Sequence, residues 1–163
     1  MGSNLGDRRD ILQGCVDAIA GIPEVQLMAV SPVYETVPVG GPPQPDYLNA
    51  VLLARTTLPS RALLHQLHQV EAAFSRVREV RWGPRTLDID IITVDSEVCA
   101  DPELTLPHPR AHERAFVLAP WHDVDPRAVL PGHGDVATLL AATDTSGIRR
   151  SDLVLSVSGE EDT

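Results

Sequence analysis

The 163 residues of this chain suffice for one domain with a real core and are too few for two ordinary ones. Hydrophobic residues make up 43%, no apolar run approaches membrane-spanning length and no targeting segment stands at Met1, so a soluble globular protein is expected. The formal net charge of -10 excludes a general nucleic-acid or membrane-surface partner, either of which needs a basic face.

Gly2-Ser3-Asn4-Leu5-Gly6 reads as a turn leading into a helix over residues 7–22, where Leu12, Val16 and Ile19 share one face and Pro23 stops the helix. Residues 25–37, rich in β-branched and aromatic side chains, read as a strand, followed by the Pro/Gly loop 38–45 and a second strand over 47–57. Pro59 sits where a first helical turn tolerates proline, and Leu63, Leu67, Val70 and Phe74 then repeat at helical spacing. A polar loop over 77–86 precedes a strand at 87–94. A short extended piece at 104–109, a helix over 110–119 and a last short helix at 136–142 complete the domain, which spans 1–155. Residues 156–163 read as an acidic, disordered tail. The order α, β, β, α, β predicts an α+β fold, a ferredoxin-like α/β sandwich with helices packed on a largely antiparallel sheet. The first strand of the βαββαβ pattern is missing: only Met1 precedes the turn, so either the sheet lacks a strand or the chain begins upstream.

All 13 basic residues are arginine, and six of them, Arg76, Arg78, Arg81, Arg85, Arg110 and Arg114, fall between positions 76 and 114. A local arginine cluster in an acidic chain suggests a small polyanion bound at one spot. The absence of lysine removes a Walker-type P-loop and any Schiff-base mechanism. Cys15 and Cys99, far apart and without metal-ligand spacing, fit a reducing cytoplasm.

The most informative stretch is Arg81-Trp82-Gly83-Pro84-Arg85-Thr86-Leu87-Asp88-Ile89-Asp90-Ile91-Ile92, which joins a cationic turn to a strand with two carboxylates. Alternation puts Leu87, Ile89 and Ile91 on one face and Asp88 and Asp90 on the other. Two like charges roughly 7 Å apart along a strand invite a hard cation such as Mg²⁺. Arginine forks suit the phosphates such a metal carries. The competing view is a solvated strand face with arginines paired to it, which leaves the indole of Trp82 unexplained. On the strand at 47–57, Tyr47 and Asn49 share a face with Val51 and Leu53; a ring and an amide so placed suit a flat heterocycle, and an ordinary strand-start tyrosine with a structural asparagine stands against it. His108 and His112 are four apart, but Pro109 between them and the lack of a third ligand argue against zinc. A phosphate-contacting set of His108 and Arg114, with Phe116 as an apolar face, fits better.

Taken together, Gly2 to Arg8, Ser31-Pro32-Val33-Tyr34-Glu35-Thr36, Gln44-Pro45-Asp46-Tyr47-Leu48-Asn49-Ala50, Gly83 to Asp90 and Leu104-Thr105-Leu106-Pro107-His108-Pro109 resemble the 6-hydroxymethyl-7,8-dihydropterin pyrophosphokinases of folate biosynthesis. The resemblance covers almost the whole chain and implies that ATP gives its terminal pyrophosphate to the pterin hydroxymethyl group, releasing AMP. It implies that Asp88 and Asp90 hold two Mg²⁺ ions. Tyr47 and Phe116 would sandwich the pterin, with Asn49 and Thr36 at its polar edge. Arg76, Trp82 and Arg85 would belong to a mobile lid closing on ATP, the arginines stabilising charge in transfer. Glu71, Thr105, His108 and Arg114 match further ATP-side positions. The partners implied are ATP and the pterin, with no obligate protein partner. Competing classes are a metal-dependent ATP-using transferase for another small alcohol and a ferredoxin-like module that binds a nucleotide without turning it over. Tyr47, Asn49 and Phe116 favour the pterin over the first, and the aspartate pair disfavours the second.

Overall fold

The computed structural model describes residues 1–4, 7–38, 43–74 and 87–157. In chain order these form β1 (Gly2–Ser3), α1 (Arg8–Ala20), β2 (Val25–Val30), β3 (Tyr34–Thr36), β4 (Tyr47–Asn49), β5 (Leu52–Thr56) and α2 (Ser60–Phe74). Then follow β6 (Cys99–Ala100), β7 (Thr105–Leu106), a 3-10 turn (Ala111–Glu113), α3 (Ala115–Val124), β8 (Val129–Leu130), β9 (Gly134–Asp135), α4 (Val136–Ala141) and β10 (Ile148–Arg150). The fold is α+β with antiparallel strand pairing throughout.

The first helix forms where the hydrophobic spacing puts it. The Asp7 carboxylate accepts from the Asp10 amide and caps its start, and Leu12, Cys15, Val16 and Ile19 point inward. In α2 the buried stripe is Ser60, Leu64, Leu67 and Glu71, with Leu63, Val70 and Phe74 at its half-buried flank. The stripe is therefore rotated from the one its apolar residues alone suggest, and it carries a carboxylate. The two helices approach closely because Gly14 has no side chain: a Cβ there would meet the Phe74 ring at 2.8 Å. They cover one face of the sheet over Val33, Leu48, Ala50, Leu87 and Ile89. A second apolar cluster, Ala111, Val117, Leu118, Trp121, Ala128, Leu130 and Val136, packs with Val51, Leu53, Ile92 and Phe116.

Both expected long strands are interrupted at the same level. Residues 25–37 divide into β2 and β3, and 47–57 into β4 and β5, so that β2–β5 and β4–β3 belong to different sheets. Pro32 has no N–H to give, and the Ser31 hydroxyl instead accepts from the Val51 amide at 2.8 Å. Register passes from Val30↔Leu52 to Tyr34↔Asn49, setting three residues opposite two, a bulge that re-aims the side chains of β3.

The first strand, expected to be missing, is present in a two-residue form: β1 pairs with β4, and Gly2 bridges to Asp88 on its other side. The strand expected at 87–94 is correspondingly reduced to that single bridge. Leu87 and Ile89 are nonetheless buried, Asp88 is half-buried and Asp90 exposed, so the alternation holds where the ladder does not. The helix expected over 110–119 begins only at Ala115, after a 3-10 turn, and runs through Pro120 to Val124. Burial of Val117, Leu118, Ala119, Pro120 and Trp121 outweighs the one helical bond that proline forgoes. The β8–β9 hairpin and β10, which pairs with β3, carry too few residues to show a period. Ser156 exchanges two hydrogen bonds with the Gln13 amide; residues 158–163 of the expected tail lie outside the described residues. Among the described residues no helix is long and apolar enough to cross a membrane.

Candidate functional site

Directly opposed residues of neighbouring antiparallel strands project to the same side of a sheet. The registers Arg150↔Tyr34, Tyr34↔Asn49, Gly2↔Asn49 and Gly2↔Asp88 therefore define one row across the sheet: Arg150, Tyr34, Asn49, Gly2, Asp88. Thr36 and Tyr47, paired with each other two residues along, continue the same face. Gly2 exchanges both backbone bonds with Asp88, at 2.9 and 2.8 Å. Toward β4 the exchanging pair is Met1 with Ala50, which leaves Gly2 and Asn49 as the non-hydrogen-bonded pair, the closer of the two kinds. A Cβ on Gly2 would lie 2.5 Å from Asn49 Oδ1. The glycine thus gives the Asn49 carboxamide its room and leaves a flat floor between that amide and the Asp88 carboxylate. From the two pair spacings the Cα atoms of Asn49 and Asp88 are roughly 10 Å apart.

The amide is oriented. Asn49 Nδ2 donates to Thr36 Oγ1 at 2.8 Å, so the Thr36 hydroxyl is left to donate its own proton elsewhere. One N–H of the amide and its carbonyl oxygen remain to pair with a ligand edge.

At the Asp90 end the structure brings His108 and Arg114 together, each within electrostatic reach of that carboxylate. The His108 amide donates to the Ile92 carbonyl at 2.8 Å, and the Arg110 amide donates to His108 Nδ1 at 3.2 Å, which assigns the ring proton to Nε2. Burial, chiefly, with Arg114 and Arg110 holds His108 below the usual histidine range, against the opposing pull of Asp90. His108 is thus a neutral N–H donor near pH 7. Burial and then Arg110 also lower the Arg114 guanidinium from its ordinary value, and it lies 5.4 Å from the Phe116 ring centre.

Glu71 serves the same segment from below. The residue is 8% exposed, and its Oε2 accepts from the backbone amide of Ile89 at 3.1 Å, the amide between the two aspartates. It is built into the aspartate segment rather than held out to solvent. A carboxylate on the buried stripe of a helix is a signal the sequence carries for this, one that its apolar residues alone do not reveal. Thr105 stands apart: its hydroxyl donates to the Asp101 carbonyl within the β6–β7 hairpin. Arg76, Trp82 and Arg85, and with them the expected lid, lie outside the described residues.

Among the described residues no three His, Cys, Asp or Glu side chains converge on a possible metal position. His112 stacks on His133 with ring centres 4.0 Å apart. Two carboxylates alone are a donor set that suits Mg²⁺, which keeps several waters and takes its remaining oxygens from substrate phosphates.

Residues 1–126 match the family described as 7,8-dihydro-6-hydroxymethylpterin-pyrophosphokinase. The chain is 41% identical over 150 residues to the 2-amino-4-hydroxy-6-hydroxymethyldihydropteridine pyrophosphokinase of Pseudomonas aeruginosa, covering 92% of this chain and 93% of that one. It is 41% identical to the protein of the same name from Methylorubrum extorquens, covering 92% and 94%, and 46% identical over 140 residues to that of Mycobacterium tuberculosis, covering 80% and 72%.

Proposed function

The chain belongs to the 7,8-dihydro-6-hydroxymethylpterin-pyrophosphokinase family, and from that premise we propose how its residues divide the work of pyrophosphate transfer. The reaction moves pyrophosphate from ATP to 6-hydroxymethyl-7,8-dihydropterin, a step of folate biosynthesis. The hydroxymethyl oxygen bonds to the β-phosphorus and gives up its proton to solvent, the bond from that phosphorus to the α-phosphate oxygen breaks, and AMP leaves with the electron pair.

The observation that carries the assignment is the row Asn49, Gly2, Asp88. It sets an amide with one donor and one acceptor to spare in line with a metal-type carboxylate, across a gap that a side-chain-free residue keeps flat. That span is comparable with a fused two-ring heterocycle and its hydroxymethyl arm. The pterin then lies with its aminopyrimidinone edge on Asn49 and Thr36, its rings against Tyr47 and Phe116, and its hydroxyl toward Asp88. Asp88 and Asp90 would hold Mg²⁺, two ions in the full complex, which would supply Lewis-acid neutralisation of the triphosphate charge. Glu71 fixes the spacing of the two aspartates through the Ile89 amide. His108, as a neutral Nε2–H donor, and the half-buried Arg114 face the phosphates on the Asp90 side. Thr105, whose hydroxyl is bonded within its own hairpin, joins the ATP-side set only if ATP draws that hydroxyl away from the Asp101 carbonyl. Arg76 and Arg85 bring positive charge to the transferring group, and Trp82 closes over the nucleotide with them. No covalent nucleophile is needed, because transfer of this kind is mostly positioning and charge neutralisation.

The order β1, α1, β2–β3, β4–β5, α2 and the Asp88 segment supports placing the fold among ferredoxin-like sandwiches, as one domain over 1–155. A cytoplasmic setting with only small-molecule partners fits the substrates. The division of labour is tested by titrating the pterin, in the presence of a non-hydrolysable ATP analogue and Mg²⁺, into Asn49→Ala and Thr36→Ala. Loss of one paired polar group predicts a pterin affinity lower by about 10-fold or more for Asn49→Ala. Analogue binding alone should be unchanged. Equal losses for both ligands would contradict the assignment.

A further inference from the structure

Tyr34 sits in the same row as Asn49, directly opposite it on β3, and its hydroxyl donates to Asp123 Oδ2 of α3 at 2.5 Å. A separation this short belongs to a charge-assisted O–H···O⁻ bond. The contact joins residues far apart in sequence, from the sheet to the helix above it. Arg150, opposite Tyr34 on β10, also acts on the phenol electrostatically. The other feature of α3 is Phe116, at its N-terminal end. Phe116 and Asp123 are seven positions apart, so they lie on one stripe of the helix about two turns, roughly 10 Å, from each other. Asp123 meets the sheet at Tyr34, and Phe116 packs in the cluster that also takes in Val51 and Leu53 of the sheet.

We infer that the Tyr34–Asp123 bond is a clasp that sets the height of α3 over the sheet and, through it, the width of the slot between Phe116 and the Asn49 row. It rests on the proposed placing of the pterin between Phe116 and that row. Tyr34 and Asp123 are positioning residues, touching neither substrate. The bond fixes the C-terminal end of α3, so releasing it lets the helix tilt and roll about its N-terminal anchor and changes how Phe116 faces the Asn49 row. Its effect falls chiefly on the pterin: His108 is held outside α3 by a backbone bond to Ile92, and Arg114, the N-cap whose carbonyl accepts from Val117 and Leu118, stands at the anchored end of the helix.

The test is steady-state kinetics of Tyr34→Phe, Asp123→Asn and the double variant, with KM for pterin and for ATP measured separately. Tyr34→Phe keeps the ring, so the fold is preserved while the bond is lost. Each single variant should raise the pterin KM roughly 3- to 10-fold, the scale of losing one such bond. The ATP KM should stay within about twofold, and the double variant should be no worse than either single one. Asp123→Glu, which keeps the acceptor, should recover part of the loss. A pterin KM unmoved in both single variants, a parallel rise in both KM values, or additive losses would overturn the clasp. Phe116→Ala, measured alongside, separates the two ideas: if it raises the pterin KM and Tyr34→Phe does not, only the clasp fails. If Phe116→Ala is itself without effect, the pterin placement fails and takes the clasp with it.

Discussion

Replacing Gly2 by alanine adds one methyl group at the centre of the site. Its Cβ would stand 2.5 Å from Asn49 Oδ1, where ordinary contact begins at 3.4 Å, with Asn49 Cγ at 3.5 Å and the Leu48 carbonyl at 3.6 Å in ordinary contact. The clash is therefore with the end of one flexible side chain, which must withdraw by about 1 Å. The bond from Asn49 Nδ2 to Thr36 Oγ1, now 2.8 Å, does not survive such a shift. One hydrogen bond, and the orientation of the groups that read the ligand, are lost together, costing about 1–3 kcal/mol in pterin affinity, or roughly 5- to 150-fold. The fold should hardly notice, because Gly2 does not adopt a positive φ and its backbone bonds to Asp88 do not involve the new methyl. Alanine in a strand even recovers about 0.5–1 kcal/mol of chain entropy. Calorimetric titration of pterin in the presence of the ATP analogue, paired with thermal unfolding, reads both quantities. Tm should move by no more than about 4 °C. Pterin affinity within twofold of wild type would refute the reasoning, as would an equal loss of analogue binding with a lowered Tm.

Asp88→Ala and Asp90→Ala should each lower turnover by about 100-fold or more at saturating Mg²⁺, since several kcal/mol of charge neutralisation go with each ligand. Pterin binding and Tm should change little, and near-normal turnover in either variant would remove the metal site. Glu71→Ala should cost about 1–3 kcal/mol of stability by leaving the Ile89 amide without its acceptor, whereas Glu71→Gln, whose amide oxygen can still accept, should cost clearly less; equal losses would deny the hydrogen bond its role. The Tyr34 phenol is pushed up from 10.0 to about 12, by burial first and then by Asp123. A pKa raised on folding gives stability that is fully present below the unfolded value and is lost as pH climbs through the folded one. Wild-type Tm should therefore fall more steeply than that of Tyr34→Phe between about pH 10 and 12, and parallel curves across that window would exclude the coupling.

The sequence made the helices and the aspartate alternation legible because those patterns are local. Leu12, Val16 and Ile19 announce α1, Pro59 announces the start of α2, and Leu87 and Ile89 are buried as their alternation with Asp88 and Asp90 requires. Residue types chosen for their chemistry also met in space, with Asn49 bonded to Thr36 and His108 and Arg114 gathered at Asp90. What was not legible depends on register between distant segments. Gly2 became informative only once it lay between Asn49 and Asp88, and Tyr34 only once β3 came under α3. The bulge at 31–33, which divides two long strands at one level, is set by the Ser31 hydroxyl replacing a backbone partner and leaves no periodic trace. Glu71 is the instructive middle case, because a charge on an apolar stripe could have been seen from the helix alone.

The most direct measurement is the nucleotide product. Purified protein is incubated with ATP, Mg²⁺ and 6-hydroxymethyl-7,8-dihydropterin, and the nucleotides and pterins are separated and quantified. Attack at the β-phosphorus predicts AMP accumulating one-for-one with the pterin pyrophosphate, in a reaction that stops when Asp88 or Asp90 is replaced by alanine. ADP as the main product, or AMP without pterin pyrophosphate, would contradict pyrophosphate transfer at this site.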